Sequence, residues 1–497
     1  MKIKHTVNTG KRGVSEISNS IKFGTDGWRA IIAEDYTFDN VRACAQGVAE
    51  YLKQAGLTER GIIIGNDTRF ASEDFAAAVA EVIAANGIKA YLCPKPTPTP
   101  VISFGVPAKK AAGAIIITAS HNPAKWNGFK YKDEHGSSAS DKITTRMETL
   151  INKAATSGKV KQMPLGEALA QKKVSYLDLD PLYEKQMHKL VDIDGIRRSG
   201  LKVVYDAMYG AGAGYLKKLL AGGKTELIEI NGARDPLFAG IQPEPIAANL
   251  AGLTAAVKEQ KASVGLATDG DADRMGIVDE KGVFLTQLQV FALLCLYLLE
   301  ARGERGAIVK TLTTTSMAYR LGEIYKVPVH ETEVGFKYVA PKMLAVNALI
   351  GGEESGGYGF RGHVLERDGI LANLFFLDLM VKTGKSPSEL IDYLYQKVGP
   401  HHYRRVDLEF PARERQAIIN RIQEQPPVSV DGSKVLKMDT TDGFRFMLAD
   451  NSWLLIRFSG TEPIIRIYAE TDSVARAEKM LTIGRKIAGV GITGGKR

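Results

Sequence analysis

Short apolar runs alternate with stretches of helical spacing along most of the chain. The runs at 62–64, 114–117, 201–205, 264–267 and 307–309 place apolar residues mostly side by side, the pattern of strands buried on both faces. Between them, Phe38 to Ala55 puts Val41, Cys44, Val48 and Leu52 on one helical face, and helical patterns recur at 76–85, 183–193, around Leu321 and around Leu371, Phe375 and Leu379. This alternation predicts an α/β protein with largely parallel sheets. The segment 141–176 is mixed and partly amphipathic, with a looser patch at 154–158. Past 397 the composition shifts, and strands at 435–438, 443–448 and 453–458 with a helix at 475–487 predict a smaller α+β section. A chain of 497 residues exceeds one core. Boundaries are expected near 178, 284 and 395, dividing it into 1–178, 179–284, 285–395 and 396–497.

Polar clusters follow several of the predicted strands. Thr118, Ala119, Ser120, His121, Asn122 and Pro123 sit where the chain leaves the sheet after Ile117, a usual place for chemistry in such folds. Ser120 is the candidate reacting residue; ordinary turn or cap hydrogen bonds are the plain alternative. Asn127-Gly128 is a turn signal and predicts a hairpin beginning there, which could carry Lys130 back toward Ser120. An imidazole or ammonium near that hydroxyl would help remove its proton or neutralise phosphate charge, which brings in His121 and Lys130. Arg29, in the glycine-rich stretch 24–29, suits bidentate phosphate contact, and Arg69 reads as a structural ion-pair residue, with bracing of an active-site loop as the alternative.

Asp269, Asp271 and Asp273 alternate through a loop containing Gly270, so their carboxylates can converge on a hard divalent cation such as Mg²⁺. The spacing resembles the first half of a calcium-binding helix-loop-helix, but Arg274 stands where that loop needs glycine and the flanks read as strands. Arg274 would lie beside the carboxylates and could meet a phosphate. Glu353 and Ser355, in a glycine-rich loop, suit recognition of neighbouring sugar hydroxyls, with a mere surface loop as the rival. Lys337, at a helix start after Thr332 and Gly335, could touch an anion. Arg457, Ser459, Gly460, Thr461 and Arg466 form a phosphate clamp on paper. The glycines at 210–214 lack the Lys-Ser/Thr ending of a nucleotide loop and suit close helix–strand packing.

Charge and composition narrow the field. The formal net charge is +9, yet 65 basic residues are interspersed with 56 acidic ones, so a local anionic pocket is favoured over a nucleic-acid face. The three cysteines, Cys44, Cys93 and Cys295, form no C-x-x-C pair, which argues against a zinc or dithiol site. The most apolar stretch, 288–299, is too short for a bilayer and predicts a buried helix. No export signal is evident at the start, and a cytoplasmic location is expected.

In their order along the chain, the clusters Thr118 to Pro123, Asp269 to Arg274, Gly352 to Gly356 and Arg457 to Pro463 resemble the motifs of the α-D-phosphohexomutase superfamily. The resemblance covers nearly the whole chain. It implies three related α/β domains and a C-terminal α+β domain around a central cleft. By the same resemblance Ser120 is the phosphoserine, and Asp269, Asp271 and Asp273 hold Mg²⁺ together with a Ser120 phosphate oxygen. Glu353 and Ser355 bind sugar hydroxyls, with Thr332, Gly335 and Lys337 on the substrate side. Arg457, Ser459, Gly460, Thr461 and Arg466 hold the phosphate that is not transferred. Arg29 matches the arginine of the family's first glycine-rich loop, Arg274 stabilises charge, and His121 and Lys130 are acid/base or charge-stabilising candidates. The implied reaction interconverts hexose 1-phosphate and hexose 6-phosphate through a hexose 1,6-bisphosphate, which also primes the enzyme as activator. Small hexose phosphates are the expected partners, with neither nucleic acid nor membrane, and the chain is expected as a monomer or homodimer. Glu353-Glu354-Ser355 resembles glucose-type enzymes, and Gly357 stands where several dual-specificity and glucosamine enzymes have histidine. Glucose is therefore favoured, with mannose or dual specificity as the alternative. Glucosamine is less favoured, as is a non-catalytic sugar-phosphate sensor, since such a sensor would be expected to lack Ser120 or a metal aspartate.

Overall fold

The computed structural model describes residues 21–24, 26–459 and 463–490. Four sheets succeed one another along the chain. In the first, the strand order is Trp28–Ile31, Trp126–Lys132, Ala114–Ile117, Ile62–Asn66, Ala90–Leu92 and Val174–Tyr176. The last four of these run parallel, while Trp126–Lys132 returns antiparallel beside Ala114–Ile117. The second sheet sets Glu226–Ile230, Lys202–Asp206 and Val264–Thr268 parallel, with Met275–Val278 returning antiparallel. The third joins parallel Val329–Thr332, Ile308–Thr311 and Ile350–Gly352 to antiparallel Tyr358–Phe360. One device thus recurs three times: a fully buried strand, a polar loop, and an antiparallel return strand. The loops are 118–125, 269–274 and 353–357.

The apolar runs explain why these loops are held firmly. Ile63, Tyr183, Val203, Phe291, Ile308 and Phe375 belong to one contiguous core that passes through all three sheets' surroundings. The helix Gly369–Thr383 threads this core, with 369–380 buried on every side. Asp368 caps its start by accepting from Leu371 N at 2.9 Å. Its first residue must be small: a Cβ on Gly369 would lie 2.4 Å from the Arg274 carbonyl oxygen. The helix therefore starts directly against the backbone of the aspartate loop.

The C-terminal sheet is antiparallel, in the order His402–Glu409, Ile464–Thr471, Trp453–Phe458, Phe444–Leu448, Ser433–Asp439 and Ser429–Val430. Strand alternation gives it two faces. Phe446, Leu454, Ile456, Ile465 and Ile467 share a core with Ile418, Ile422 and Met480 of the helices Arg415–Glu424 and Val474–Ala488. Trp453, Leu455 and Tyr468 instead cluster with Leu312 and Val334 of the third domain.

Two sequence expectations change. Asn127 and Gly128 are not a turn; both lie inside the strand Trp126–Lys132. A Cβ on Gly128 would meet the Thr118 carbonyl oxygen at 2.4 Å, so the glycine permits a close backbone crossing, and Asn127 Nδ2 donates to Ser72 Oγ at 2.9 Å. The hairpin exists, but the Ser120 loop is its connection. The loosely patterned 141–157 is one helix, Asp141–Ser157, packed on Phe38–Ala55, and the patch at 154–158 is its last turn, closed by Gly158 at φ 64°. Gly47 makes that crossing close, since a Cβ there would lie 2.3 Å from Ile151 Cγ1. No helix of the described residues is long and apolar enough to cross a membrane.

Candidate active site

Ser120 is held in the left-handed region, at φ 53°, a conformation unfavourable for a residue with a Cβ and sustained here by its surroundings. Its N–H donates to Thr118 Oγ1 at 2.8 Å, and Thr118 Oγ1 donates in turn to Asp67 Oδ2 at 2.5 Å. Arg69, completely buried, fastens the loop from below. Its terminal nitrogens donate to the carbonyls of Ser120 and Asn122 at 2.6 Å and of Pro123 and Trp126 at 3.0 Å, while Nε meets Asp67 at 3.1 Å. Arg69 is thus both a structural ion pair with Asp67 and the brace of this loop. Arg29 reaches the same loop from the edge strand and donates to Asn122 Oδ1 at 2.7 Å.

The aspartate loop presses directly on Ser120. Ser120 Oγ donates to Asp269 Oδ2 at 2.7 Å. Gly270 lies over the Ser120 carbonyl, where a Cβ would come within 2.5 Å of the oxygen. Gly270→Ala should therefore force the two loops apart. A misplacement on the order of an ångström at a reacting group lowers turnover about a hundredfold, and we expect that loss in steady-state rate with an unchanged circular dichroism spectrum. Wild-type turnover would mean that the loops do not need this contact.

Asp269, Asp271 and Asp273 bring carboxylate oxygens within 4.8 Å of one another, all of them buried. Asp271 Oδ1 and Asp273 Oδ1 have no hydrogen-bond partner among the described residues. Convergent hard oxygens, two otherwise unsatisfied, fit a divalent ion such as Mg²⁺. Burial and the neighbouring Asp271 and Asp273 push the Asp269 carboxyl well above its ordinary range. For Asp271, burial acts in the same upward sense, but the Lys130 ammonium outweighs it and holds the group below the usual carboxylate range. Arg274 donates its N–H to Asp269 Oδ1 at 3.1 Å and lies 3.4 Å from Glu244.

Lys130 and His121 take different surroundings. Lys130, opposite Ile116 in the hairpin, places Nζ 2.7 Å from Asp26, 2.7 Å from Asp271 and 3.2 Å from Asp273. Burial alone would lower its pKa, yet the carboxylates Asp26, Asp271 and Asp273 raise it, so the group stays an ammonium. His121 Nδ1 lies 3.3 Å from Ser120 Oγ. Burial, followed by the Arg274, Arg29 and Lys130 charges, pushes its pKa well down and leaves the imidazole neutral near pH 7.

Sequence reasoning missed the residues that join the three loops. Arg367 lies 2.6 Å from Asp26, 2.9 Å from Asp273, 3.2 Å from Glu366 and 3.5 Å from Glu353. Lys132 bridges Asp26 at 3.0 Å and Glu366 at 2.7 Å. These buried charges tie the Ser120 domain, the aspartate loop and the 353–357 loop into one network. The signal was present: Glu366-Arg367-Asp368 is a run of charges leading into an almost wholly apolar helix, where they cannot all be solvated. Glu353 is itself buried and raised in pKa by that burial, against the lowering effect of Arg367. Ser355 lies half-buried in the same loop, and Lys337 is paired with Asp141 of the first domain. Thr332 pairs with Thr311, and Gly335, at φ 134°, precedes the helix Phe336–Val346.

In the C-terminal domain Arg457 and Arg466 face each other across adjacent strands. Arg457 Nε is 2.9 Å from Asp442, and Arg466 Nε is 3.2 Å from Asp407. Ser459 N donates to the Ile464 carbonyl at 2.8 Å. Gly460 and Thr461 lie outside the described residues.

This arrangement has counterparts in known proteins. The models of phosphoglucomutase/phosphomannomutase α/β/α domains I, II and III match residues 20–157, 181–282 and 287–398, and the C-terminal domain model matches 408–482. A phosphoglucomutase/phosphomannomutase of Thermococcus kodakarensis is 32% identical over 465 residues, which cover 94% of this chain and 98% of that one. The chain belongs to the α-D-phosphohexomutase superfamily. A phosphoglucosamine/phosphogalactosamine mutase of Sulfurisphaera tokodaii is 29% identical over 470 residues, covering 94% of this chain and 98% of that one. A Thermus thermophilus protein of known structure shares 33% identity at a TM-score of 0.83, over 95% of this chain and 99% of its own. Paramecium phosphoglucomutase, at 21% identity and a TM-score of 0.80 over 95% of each chain, shares the fold. The four domains are those of the phosphohexomutases, three related α/β units and an α+β C-terminal unit, and the reaction is of the phosphohexomutase type.

Proposed function

We propose that this protein interconverts hexose 1-phosphate and hexose 6-phosphate, with glucose the preferred sugar, through a phosphorylated Ser120 and a hexose 1,6-bisphosphate. The observation that carries the reading is the 2.7 Å contact of the strained Ser120 hydroxyl with Asp269 beside two further buried aspartates. In this reading phosphorylated Ser120 gives its phosphoryl group to the free hydroxyl of the bound hexose phosphate. The bisphosphate then turns over, and Ser120 takes back the other phosphoryl group. A hexose 1,6-bisphosphate serves as activator by priming an unphosphorylated Ser120. Asp269, Asp271 and Asp273 would hold Mg²⁺, which when bound supplies positive charge beside the transferring phosphoryl group.

The side chains divide the remaining work. Neutral His121 is the group able to accept or return a proton near Ser120 Oγ, while the Lys130 ammonium supplies charge and keeps Asp271 ionised. Arg29 and Arg274 meet the charge that develops during transfer. Glu353 and Ser355 would take sugar hydroxyls, with Thr332, Gly335 and Lys337 alongside. Arg457, Ser459, Gly460, Thr461 and Arg466 would grip the phosphate that stays on the sugar. The units 1–178, 179–284, 285–395 and 396–497 are proposed as the domains that each contribute one of these parts.

The glucose preference draws support from Gly357. A Cβ there would lie 2.4 Å from Arg367 Cδ, so the Arg367 stem occupies the place of a larger side chain. The Thermococcus kodakarensis relative, with its double name, favours a dual glucose/mannose activity as the second reading. Parallel rates on glucose, mannose and glucosamine 1-phosphates, each with Mg²⁺ and its own bisphosphate, test both. Glucose should react fastest; equal rates with mannose would establish the dual reading, and glucosamine as the best substrate would overturn the preference.

A further inference from the structure

The face of the C-terminal sheet that meets the third domain is ordered in rows across its strands. Tyr403, Glu470 and Trp453 form the first row, Arg405, Tyr468, Leu455 and Arg445 the second, and Asp407, Arg466 and Arg457 the third. The first two rows make the domain interface. Glu470 accepts from Ser316 N at 2.7 Å and Trp453 Nε1 at 2.8 Å, Arg445 pairs with Glu331, and Leu455 and Tyr468 cluster with Leu312. The third row carries the clamp arginines. Interface and clamp are therefore one continuous surface.

Two guanidinium groups placed opposite each other on one sheet face repel unless offset. Among the described residues each meets a carboxylate at its Nε edge: Asp442 holds Arg457 at 2.9 Å and Asp407 holds Arg466 at 3.2 Å. Each carboxylate also leads into the third domain. Asp442 Oδ2 accepts from Val334 N at 3.2 Å, in the connection between Thr332 and Gly335. Asp407 accepts two bonds from Arg405, at 2.6 and 2.7 Å, and Arg405 reaches both oxygens of Glu354 at 3.3 Å in the 353–357 loop. Gly443 makes the first of these links possible: at φ 104°, a Cβ would lie 2.6 Å from the Ile456 carbonyl oxygen, so only glycine lets the Asp442 turn press against Arg457.

We propose that Asp442 and Asp407 are positioning residues of the phosphate clamp. Each fixes one long, rotamer-rich arginine by its Nε edge and fastens it to one of the two substrate-side loops of the third domain. Phosphate capture and the posture of those loops are thereby set together. The inference rests on the reading of Arg457 and Arg466 as the phosphate clamp.

The test uses full-length protein, with binding of inorganic phosphate measured by calorimetry and KM and kcat measured for glucose 1-phosphate. Asp442→Ala and Asp407→Ala should each weaken phosphate binding and raise KM about tenfold, the scale of one lost charge-assisted hydrogen bond, with kcat within about threefold. Asp442→Asn and Asp407→Asn keep an acceptor in place and should stay within about threefold of wild type. Glu354→Ala, on the far side of Arg405, should raise KM in the same direction and add nothing to Asp407→Ala. If the carboxylates merely compete with phosphate for the arginines, all the aspartate variants will bind phosphate more tightly, and the proposal is overturned. Should an aspartate-to-alanine variant fail to fold, Glu354→Ala decides, since an unchanged KM there overturns the link. Arg457→Ala separates the two levels. Loss of phosphate binding in Arg457→Ala with wild-type binding in the aspartate variants overturns this inference alone, whereas wild-type binding in Arg457→Ala overturns the clamp itself.

Discussion

Replacing Ser120 by alanine should lower steady mutase turnover by about four orders of magnitude or more, since the group that carries the phosphoryl in the proposed cycle is then gone. The fold should persist. Alanine keeps the Cβ that Ser120 already places at φ 53°, and the Ser120 backbone remains held by Arg69, Thr118 and the Gly270 contact. The measurement is a coupled rate assay alongside incubation with labelled bisphosphate. S120A protein should take up no label, and near-normal turnover would remove Ser120 from the reaction.

The second large effect belongs to Arg367. Arg367→Met removes the one cation shared by Asp26, Asp273, Glu353 and Glu366, and leaves those carboxylates buried around an apolar side chain. Breaking a buried ion pair by removing one partner costs about 3–5 kcal/mol. We expect a clearly lower denaturation midpoint and faster hydrogen exchange at the start of the helix Gly369–Thr383, where Asp368 caps and Gly369 N donates to the Ala272 carbonyl at 3.1 Å. Arg367→Lys should recover part of this loss, because an ammonium keeps the charge but lacks the planar fork that reaches several carboxylates at once. A midpoint unchanged in Arg367→Met would show that the network contributes no net stability.

The sequence made the framework readable because strands buried on both faces are written as adjacent apolar residues, as at Ala114–Ile117 and Val264–Thr268. The polar clusters at their ends could be located for the same reason, since each directly follows such a strand, and the structure brings two of them together where Ser120 meets Asp269. Lys130 does come to the Ser120 region, though by a different route from the one its neighbours imply. The turn preference of Asn127-Gly128 yields to a backbone crossing under Thr118 that needs glycine within a strand. The linking network stayed hidden because its members are remote in sequence: Arg367 and Asp26 are 341 residues apart. Nothing local at Asp26 distinguishes it from a turn carboxylate. The C-terminal rows were equally unreadable, since which arginine meets which aspartate depends on strand register, and register is set by pairing across the sheet.

The strand-loop-return device that recurs in the first three sheets has an evolutionary consequence. Each repeat anchors its loop at both ends in buried strands, so the residues at a loop's tip can vary while the hydrogen-bonded ladder stays as it is. In the proposed function, phosphoryl carrier, ion cradle and sugar reader would thus occupy three sockets of a common design, wired to one another by the buried Arg367 network. A change of sugar preference would then be made at the tip of the 353–357 socket, at residues such as Ser355 that stand outside the Arg367 network, while Glu353 stays fixed by its link to the aspartate loop.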